Sequence, residues 1–106
     1  MTPDPQSTFK ALADPTRRDI LGLLSTQDMT IAQVAGHFDM TRPAVKKHLA
    51  VLESGRFITV SARGRERINA INPEGFRALE SWLNIFDRFW DDRLSALKSA
   101  VEKDAT

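Results

Sequence analysis

The chain has 106 residues, a formal net charge of +1 at pH 7 and no cysteine. One domain with a modest core fits that length, and the missing cysteines exclude disulfide frameworks and thiolate metal sites. Residues 1–5 lack the basic and apolar regions of a signal peptide, and the longest apolar stretch, around 20–24, is too short to span a bilayer, so we expect a cytoplasmic protein.

The positive charge is concentrated in one segment. Residues 41–67 contain seven basic and two acidic side chains, a net charge of +5, whereas the rest of the chain has eight basic and twelve acidic ones, a net charge of −4. A local positive field attracts a polyanion, and an acidic remainder limits misplaced contacts. The separation of basic and acidic residues along the chain therefore indicates the kind of binding partner better than the overall net charge does.

The first third of the chain predicts two short helices. Residues 1–6 are rich in proline and aspartate and are expected to be loose. A first helix is predicted over 7–13, and Asp14-Pro15 then has the sequence of an N-cap followed by the first helical residue. The second helix is predicted to run over 15–25, with residues 17–19 near solvent.

A helix-turn-helix is predicted over 30–54. Thr30 and Gln33 have the spacing of a capping box, which opens a helix to about His37. After a break of a few residues, Thr41 is the expected N-cap of a second helix that ends at Gly55. Two short helices joined by so tight a turn resemble a helix-turn-helix, in which the second helix is the candidate reader of DNA.

The candidate reading helix has two different sides. Val45, Leu49 and Leu52 recur at helical spacing and form an apolar stripe. A helix that is apolar behind and basic with small residues in front fits the DNA major groove, although the same pattern suits a surface helix with two solvated lysines. The basic side comprises Pro43, Lys46, Lys47 and Ala50.

A β-hairpin is predicted over 56–72. Residues 57–62 and 67–71 are β-prone, and 63–66 supply the turn between them. Three arginines within five positions, next to a basic helix, indicate a wing that contacts phosphates rather than an ordinary hairpin. These arginines are Arg63, Arg65 and Arg67.

A long last helix is predicted over 73–103, after Asn72-Pro73. At about 1.5 Å per residue it would be about 45 Å long, more than one small domain needs. So much apolar surface requires a partner, which can be the core of the domain, an aromatic ligand or, as we favour, a second copy of this helix. The stripe comprises Leu79, Trp82, Leu83, Phe86, Phe89, Trp90, Leu94, Leu97 and Val101.

With these elements in order, the chain resembles the winged helix-turn-helix regulators of the ArsR (arsenical-resistance repressor) family from Phe9 to about Lys103. The resemblance is carried by FKALADPTRRDIL (9–21), TRPAVKKHL (41–49) and VLESG (51–55). The wing text GRER (64–67) and the Asn72-Pro73 junction are also similar.

The resemblance implies one mainly α domain with a small β-hairpin. It implies a cytoplasmic, bacterial, homodimeric repressor, located at the nucleoid when it binds an inverted-repeat operator, often in its own promoter. Family members pair through their first and last helices, which adds Phe9 and Leu12 to the expected interface. A two-fold dimer would present its reading helices about 34–36 Å apart, one turn of DNA.

The chain departs from the metal-sensing branch of that family. Metal-sensing members have a Cys-x-Cys pair where this chain has Thr30 and Ala32, and others use histidines of the last helix, which has none here. Zinc needs about four ligands in tight geometry, and the only histidines are His37 and His48, of which we expect the second to be a hydrogen-bonded structural residue. The resemblance is therefore to a metal-independent subgroup, with no metal and no cofactor.

The expected DNA contacts follow from helix geometry. Arg42 can make a bidentate contact to guanine, and Pro43 and Ala44 can touch a thymine methyl group. Lys46 and Lys47 reach bases or phosphates, and the three wing arginines hold the flanking backbone or the minor groove. Thr30 and Thr41, at two helix starts, are placed to contact phosphates.

The sequence leaves three other functions as alternatives. An enzyme is the weakest, because no nucleophile–base set and no phosphate loop is present. A protein-interaction module would use the last helix, but it would not need the charged segment and its binding would depend little on salt. A repressor that responds to a hydrophobic effector near the aromatic last helix remains an alternative.

Overall fold

Within residues 5–104, the part of the chain that the computed structural model describes, the fold contains five α-helices and three β-strands. In chain order these are α1 (Pro5–Leu12), α2 (Pro15–Leu24), β1 (Met29–Thr30), α3 (Ile31–His37), α4 (Arg42–Ser54), β2 (Ile58–Arg63), β3 (Glu66–Ile71) and α5 (Pro73–Asp104). This order confirms the predicted mainly helical fold with a hairpin and a long last helix.

The N-caps predicted for α2, α3 and α4 are formed. Asp14 accepts a hydrogen bond from the backbone N–H two residues further on, at 2.7 Å. Thr30 and Gln33 form both bonds of a capping box, at 3.1 and 2.9 Å. Thr41 accepts from the backbone N–H three residues on, at 3.3 Å. Each cap satisfies a backbone donor that the helix itself leaves unpaired.

The first helix begins earlier than predicted. It starts at Pro5 rather than at residue 7, because proline has a φ angle already suited to the first helical position and lacks the N–H that would have no partner there. The expectation of a loose segment over 1–6 is therefore wrong for residues 5 and 6, and residues 1–4 lie outside the described part of the chain. The last helix ends one residue later than predicted, at Asp104.

The core lies where α1, α2, α3 and α4 meet the sheet. The predicted stripe of α4 is buried, with Val45 and Leu52 at 0% and Leu49 at 4% exposure. Phe57, just before β2, and Ile58, its first residue, close the core from the sheet side. It also contains Ala11, Ile20, Leu21, Leu24, Met29 and Val34.

The hairpin belongs to a three-stranded antiparallel sheet in the order β1-β3-β2. The two-residue strand β1 pairs Met29 with Asn69 and Thr30 with Ile68. The buried side chain of Asn69 donates a hydrogen bond to the Met29 carbonyl oxygen at 3.2 Å. The sequence does not predict β1, because two residues are too few to show the alternation that marks a strand.

The turn of the hairpin is tighter than predicted. Arg63 and Glu66 pair directly across the strands, which leaves only Gly64 and Arg65 in the turn instead of the four residues expected. Gly64 has a φ of 63°, and Arg65 has no positive φ, which is the pattern of a type II′ turn. Arg65 therefore lies at the tip of the wing.

The end of α4 and the start of α5 meet at a close backbone contact. The Gly75 N–H donates to the Arg56 carbonyl oxygen at 2.8 Å, and a Cβ at residue 75 would lie 2.7 Å from that oxygen. Arg56 itself has a φ of 60°, and its Nη1 lies 2.7 Å from Glu74 Oε1. On the other side, a Cβ at Gly55 would lie 2.9 Å from Ala11 Cβ. The junction thus fixes α4 against both α1 and α5.

None of the helices within residues 5–104 combines the length and the low charge that crossing a bilayer requires.

Candidate nucleic-acid interface

The basic side of α4 faces solvent. Arg42, Pro43, Lys46 and Lys47 are all exposed, and Ala44 is half-buried beside them. Pro43 occupies the first turn of the helix, where its missing N–H costs nothing, and Thr41 caps that turn. The predicted reading face is therefore accessible along the N-terminal two turns of the helix.

The two cap threonines can still contact a phosphate. Thr41 and Thr30 each use an oxygen lone pair to accept a backbone N–H. A hydroxyl also carries one donor hydrogen, which remains available in such a cap. Thr41 is exposed and Thr30 is half-buried, so the first is the more accessible of the two.

The wing places its three arginines in different surroundings. Arg65 lies at the tip, whereas Arg67 lies opposite Ala62 and lines a cleft of about 90 Å³ between the wing and α4, together with Lys46 and Glu53. A basic side chain of the wing and one of the reading helix thus share one cleft. We refer to Arg67, Lys46 and Glu53 as the inner cleft.

The third wing arginine lies on the other side of the sheet. Arg63 shares a depression of about 430 Å³ with Thr30, Gln33 and Glu66. The structure therefore brings Arg63 close to the start of α3, while it leaves Arg65 by itself at the tip of the wing. Sequence spacing alone had given the three arginines one common role.

One of the seven basic side chains of 41–67 is engaged within the protein. The guanidinium of Arg56 forms an ion pair with Glu74 at 2.7 Å, with both side chains about two-fifths exposed. Without Arg56 the segment holds six basic and two acidic side chains, a net charge of +4. The field at the reading face is thus supplied by α4 and the wing.

Arg17 does not lie near solvent, contrary to the expectation from the sequence. Only 13% of its side chain is exposed, its Nε donates to the Ala11 carbonyl oxygen at 2.8 Å, and its Nη2 donates to that of Lys10 at 2.7 Å. Its Nη1 lies 3.4 Å from His48 Nδ1, which confirms the structural role expected for His48. The neighbouring Arg18 is exposed and bonds only the Leu12 carbonyl oxygen, at 2.6 Å.

The carboxyl group of Asp14 lies beside these side chains. Desolvation raises its pKa, but backbone hydrogen bonds from Thr16 and Arg17, with the positive charges of the protonated form of His48 and of Arg17, outweigh that effect and hold the pKa of Asp14 below its ordinary value. The contact to Arg17 is a long one, 3.8 Å. Asp14 therefore acts mainly as the cap of α2.

The apolar stripe of α5 divides into two parts. Near its start, Phe76 packs edge-on against the core residue Phe57, and Trp82 packs against Phe9 of α1, each with ring centroids less than 5 Å apart, at 4.9 and 4.8 Å. Leu12 and Leu79 are half-buried at the same end. A groove of about 270 Å³ remains between the two helices, lined by Pro5, Thr8, Phe9, Ala78, Leu79, Ser81, Trp82 and Ile85.

The second part of the stripe has no cover within residues 5–104. The largest exposed side chain here is Trp90, at 58%, and Phe89 is exposed at 47% with the Arg93 guanidinium 5.0 Å from its ring. Ile85, which sequence analysis left out of the stripe, is 70% exposed and was detectable by its three-residue spacing from Trp82. Phe86 is half-buried against Trp82, and the other exposed members are Leu83, Leu94, Leu97 and Val101.

Across residues 5–104, no group of three or more histidine, cysteine, aspartate or glutamate side chains is arranged to hold a metal ion.

Comparison with known proteins agrees with this arrangement. Residues 14–60 match the family described as "Bacterial regulatory protein, arsR family". Over 94% of its length the chain is 32% identical to the HTH-type transcriptional regulator Rv2034 of Mycobacterium tuberculosis, of which 91% is covered. It is 33% identical to the transcriptional repressor SdpR of Bacillus subtilis, over 83% of this chain and 98% of that protein.

The fold is similar to that of a solved relative. The crystal structure of the ArsR family transcriptional regulator RHA00566 matches with a TM-score of 0.75 and 40% identity, over 86% of this chain and 97% of that chain. The family and these relatives are transcriptional regulators, not enzymes. The chain therefore belongs to the ArsR family of bacterial winged helix-turn-helix transcriptional regulators.

Proposed function

We propose that the chain is a homodimeric repressor that binds an inverted-repeat DNA operator with α4 and the wing. The observation that carries this proposal is the exposed basic surface that these two elements form together, centred on the inner cleft. Two relatives support it by name, one as a transcriptional regulator and one as a transcriptional repressor. Such a protein works in the cytoplasm, at the nucleoid.

In this proposal α4 enters the major groove with its N-terminal end first. Arg42 makes the bidentate contact to guanine, and Pro43 and Ala44 contact a thymine methyl group. Lys46 and Lys47, one turn further along, reach base edges or phosphates. Thr30, at the start of α3, and Thr41, at the start of α4, donate their hydroxyl hydrogens to phosphates of the DNA backbone.

The wing holds the flanking DNA. Arg65, in the two-residue turn at the tip of the wing, contacts the DNA backbone or the minor groove. Arg67 contacts the same strand as Lys46, because the two share the inner cleft. Arg63 contacts the backbone near Thr30. Contacts of this kind position the protein on DNA and make binding depend on salt.

The dimer forms through α1 and α5. The exposed apolar side chains of α5 repeat over several helical turns, and a patch of that length on a small domain needs a partner. A second copy covers it symmetrically, since a two-fold interface uses the same surface on both subunits. The end of this interface nearest the domain is formed by Phe9, Leu12, Leu79, Trp82 and Phe86. The rest of it comprises Leu83, Phe89, Trp90, Leu94, Leu97 and Val101.

Titration of DNA against the protein tests the proposal. We expect a duplex from the region upstream of the chain's own gene to bind with an affinity that falls steeply as salt is raised. Arg42→Ala should weaken binding to that duplex much more than to a scrambled one, whereas Arg77→Ala, an exposed arginine on α5, should change neither. If the protein binds no duplex even at low salt, the proposal is overturned.

The groove between α1 and α5 favours a second candidate, a repressor released by a hydrophobic effector. Its volume of about 270 Å³ and its aromatic wall at Trp82 suit a small apolar molecule. An effector in this groove would quench tryptophan fluorescence and release DNA together. Quenching that is unchanged in Trp82→Phe would place the molecule elsewhere. We further propose that neither form of the repressor requires a metal ion.

A further inference from the structure

Arg17 connects the helix α1 with the middle of the reading helix α4. Two nitrogens of its guanidinium donate to carbonyl groups in the last turn of α1, those of Lys10 and Ala11, at 2.7 and 2.8 Å. The third lies 3.4 Å from His48 Nδ1, in α4. The side chain is 13% exposed, and His48 is half-buried. One rigid planar group thus joins two helices with different proposed tasks.

The chemistry of this contact is defined. A guanidinium carries only donors, so this hydrogen bond forms with the neutral imidazole of His48, in which Nδ1 accepts and the ring proton is on Nε2. The fork of arginine fixes the two α1 carbonyls and the ring in one geometry, which the single ammonium of a lysine does not reproduce. The Asp14 carboxylate, 3.8 Å from Nη1, adds charge on the remaining side.

A second point of attachment lies at the C-terminal end of α4. At Gly55, the C-cap of this helix, a Cβ would lie 2.9 Å from Ala11 Cβ and 3.0 Å from the Ser7 carbonyl oxygen, so α4 ends in direct contact with α1. A contact at the middle of α4, added to one at its C-terminal end, restrains the angle between α4 and α1 more than either contact does alone. Without the contact to His48, α4 would be held against α1 at Gly55 and by its apolar stripe alone.

We propose that Arg17 is a positioning residue that sets the direction of α4 relative to α1, and through the dimer the separation of the two reading helices. This inference rests on the proposed function, in which α1 lies in the dimer interface and α4 contacts DNA. A site built on two such helices selects operators by the spacing of their half-sites. Arg17 therefore contributes to DNA selectivity without touching DNA.

Spin labelling tests the separation directly. Because the chain has no cysteine, Ala50→Cys gives one label per subunit on the exposed side of α4, and pulsed electron resonance measures the distance between the two labels of a dimer without DNA. We expect a narrow distribution in this background. Adding Arg17→Met or His48→Ala should broaden or shift it, whereas Arg18→Met, which removes a bond to α1 alone, should leave it unchanged.

A binding experiment tests the consequence for DNA. Duplexes with two identical half-sites are made with the gap between them changed by one or two base pairs, and the ratio of affinities for the best and the altered gap is measured. We expect that ratio to fall by about tenfold in His48→Ala and Arg17→Met, in line with the loss of a charge-assisted hydrogen bond. Arg17→Lys should be intermediate and Arg18→Met normal.

The outcomes separate this inference from the proposed function. Unchanged label distances and an unchanged gap preference in both His48→Ala and Arg17→Met would overturn the role of Arg17. His48→Ala keeps the bonds that close α1, so it tests the contact even if Arg17→Met does not fold. If the unlabelled parent protein binds no duplex while the labelled dimer reports the expected distances, the proposed function alone is overturned; a monomeric parent protein would overturn both.

Discussion

At the scale of single residues, the arginines differ in what their guanidinium groups contact. Arg17 and Arg56 bind backbone carbonyls or a carboxylate of the same chain and hold helices together. Arg42 and Arg65 are exposed at the start of α4 and at the tip of the wing. A guanidinium with internal partners contributes to stability, and an exposed one is free to neutralise a phosphate. Composition alone does not distinguish the two.

Arg65→Ala tests the wing. We expect weaker binding to all DNA sequences by a similar factor, because a contact to phosphate carries no base information. The plot of log K against log salt should become shallower by about 0.9 for each phosphate contact that is lost. Affinities at four or five salt concentrations measure this slope. An unchanged slope would contradict a phosphate contact at Arg65.

Replacing Asp14 tests the cap of α2 by pH. Its pKa is lowered in the folded protein, so its charged form contributes stability that is present above the unfolded-state pKa and is lost as pH falls through the folded-state value. Asp14→Asn retains a capping group without the charge. We therefore expect the melting temperature of the parent protein to approach that of the variant as pH falls below about 4, the ordinary pKa of an aspartate.

The same comparison has a clear contradictory outcome. Asp14→Ser, a second uncharged cap, should match Asp14→Asn in its pH dependence. A difference between the parent protein and both variants that stays constant from neutral to acidic pH would show that the charge of Asp14 has no role in stability.

Local signals in the sequence predicted the caps and missed Arg17. Thr30, Thr41 and Asp14 each bond a backbone group two or three residues away, so their neighbours in the sequence are enough to indicate them. The partner of Arg17 in α4 is 31 residues away. No periodic pattern marks such a contact, because it depends on how the helices pack.

At the scale of elements, the junction between α4 and α5 depends on two glycines. Gly55 allows α1 to approach the end of α4, and Gly75 allows the first turn of α5 to approach the backbone of Arg56. Neither glycine has a positive φ, so their importance comes from space and not from backbone conformation. The sequence indicated Gly55 as a helix end but gave no sign of the close approach at Gly75.

Gly75→Ala should destabilise the fold. Its Cβ would lie 2.7 Å from a backbone oxygen, which cannot rotate away, so the helix must shift. Overpacking of this kind costs about 1–3 kcal/mol. The matched control is Gly22→Ala, inside α2 with no atom within 4 Å of the new Cβ, which should gain about 0.5–1 kcal/mol from helix propensity. Urea unfolding measures both, and equal midpoints would contradict the steric argument.

Helical periodicity predicted the length of α5 and most of its apolar stripe. The end of the helix agrees within one residue, because the pattern of apolar positions runs on without a break. Periodicity does not tell which members contact the rest of the domain. That division depends on where α1 lies, which places Phe9 against Trp82 and leaves Trp90 exposed.

Trp90→Asp tests the dimer interface. A charge in the middle of an apolar contact between two copies would be desolvated without a partner, so we expect a monomer with much weaker binding to an inverted repeat. Sedimentation equilibrium gives the mass. Ser95→Asp, an exposed position away from the stripe, should remain dimeric. A Trp90→Asp protein that stays dimeric would contradict the assignment of this face.

At the scale of the whole molecule, the two proposed binding surfaces lie on different parts of an elongated subunit. Its extents are 69 × 33 × 21 Å, and the longest dimension is far greater than a sphere of this mass would have. The basic surface belongs to α4 and the wing, and the apolar surface to α1 and α5. Segregated charge orients the subunit towards a polyanion before contact is made.

The overall arrangement was predictable where it depends on the order of elements. Caps, a tight turn, a change from helical to alternating periodicity and a long last helix together indicate a winged helix-turn-helix. The third strand was not predictable, since β1 has two residues and forms only because β3 offers Asn69 and Ile68 as partners. The distinct positions of Arg63, Arg65 and Arg67 also follow from the tight turn rather than from their spacing.

The short strand β1 has a consequence for anyone who wishes to transplant the DNA-reading unit. Thr30 is both the last residue of β1 and the cap of α3, and its strand partner lies in the wing, so the pairing of residue 29 with residue 69 encloses α3 and α4 in one closed loop. A fragment that ends after α4 would lose the partner of β1 and the buried Asn69 amide. We expect residues 1–55 alone to be largely unfolded by circular dichroism, and grafts onto other proteins to require the whole span from β1 to β3.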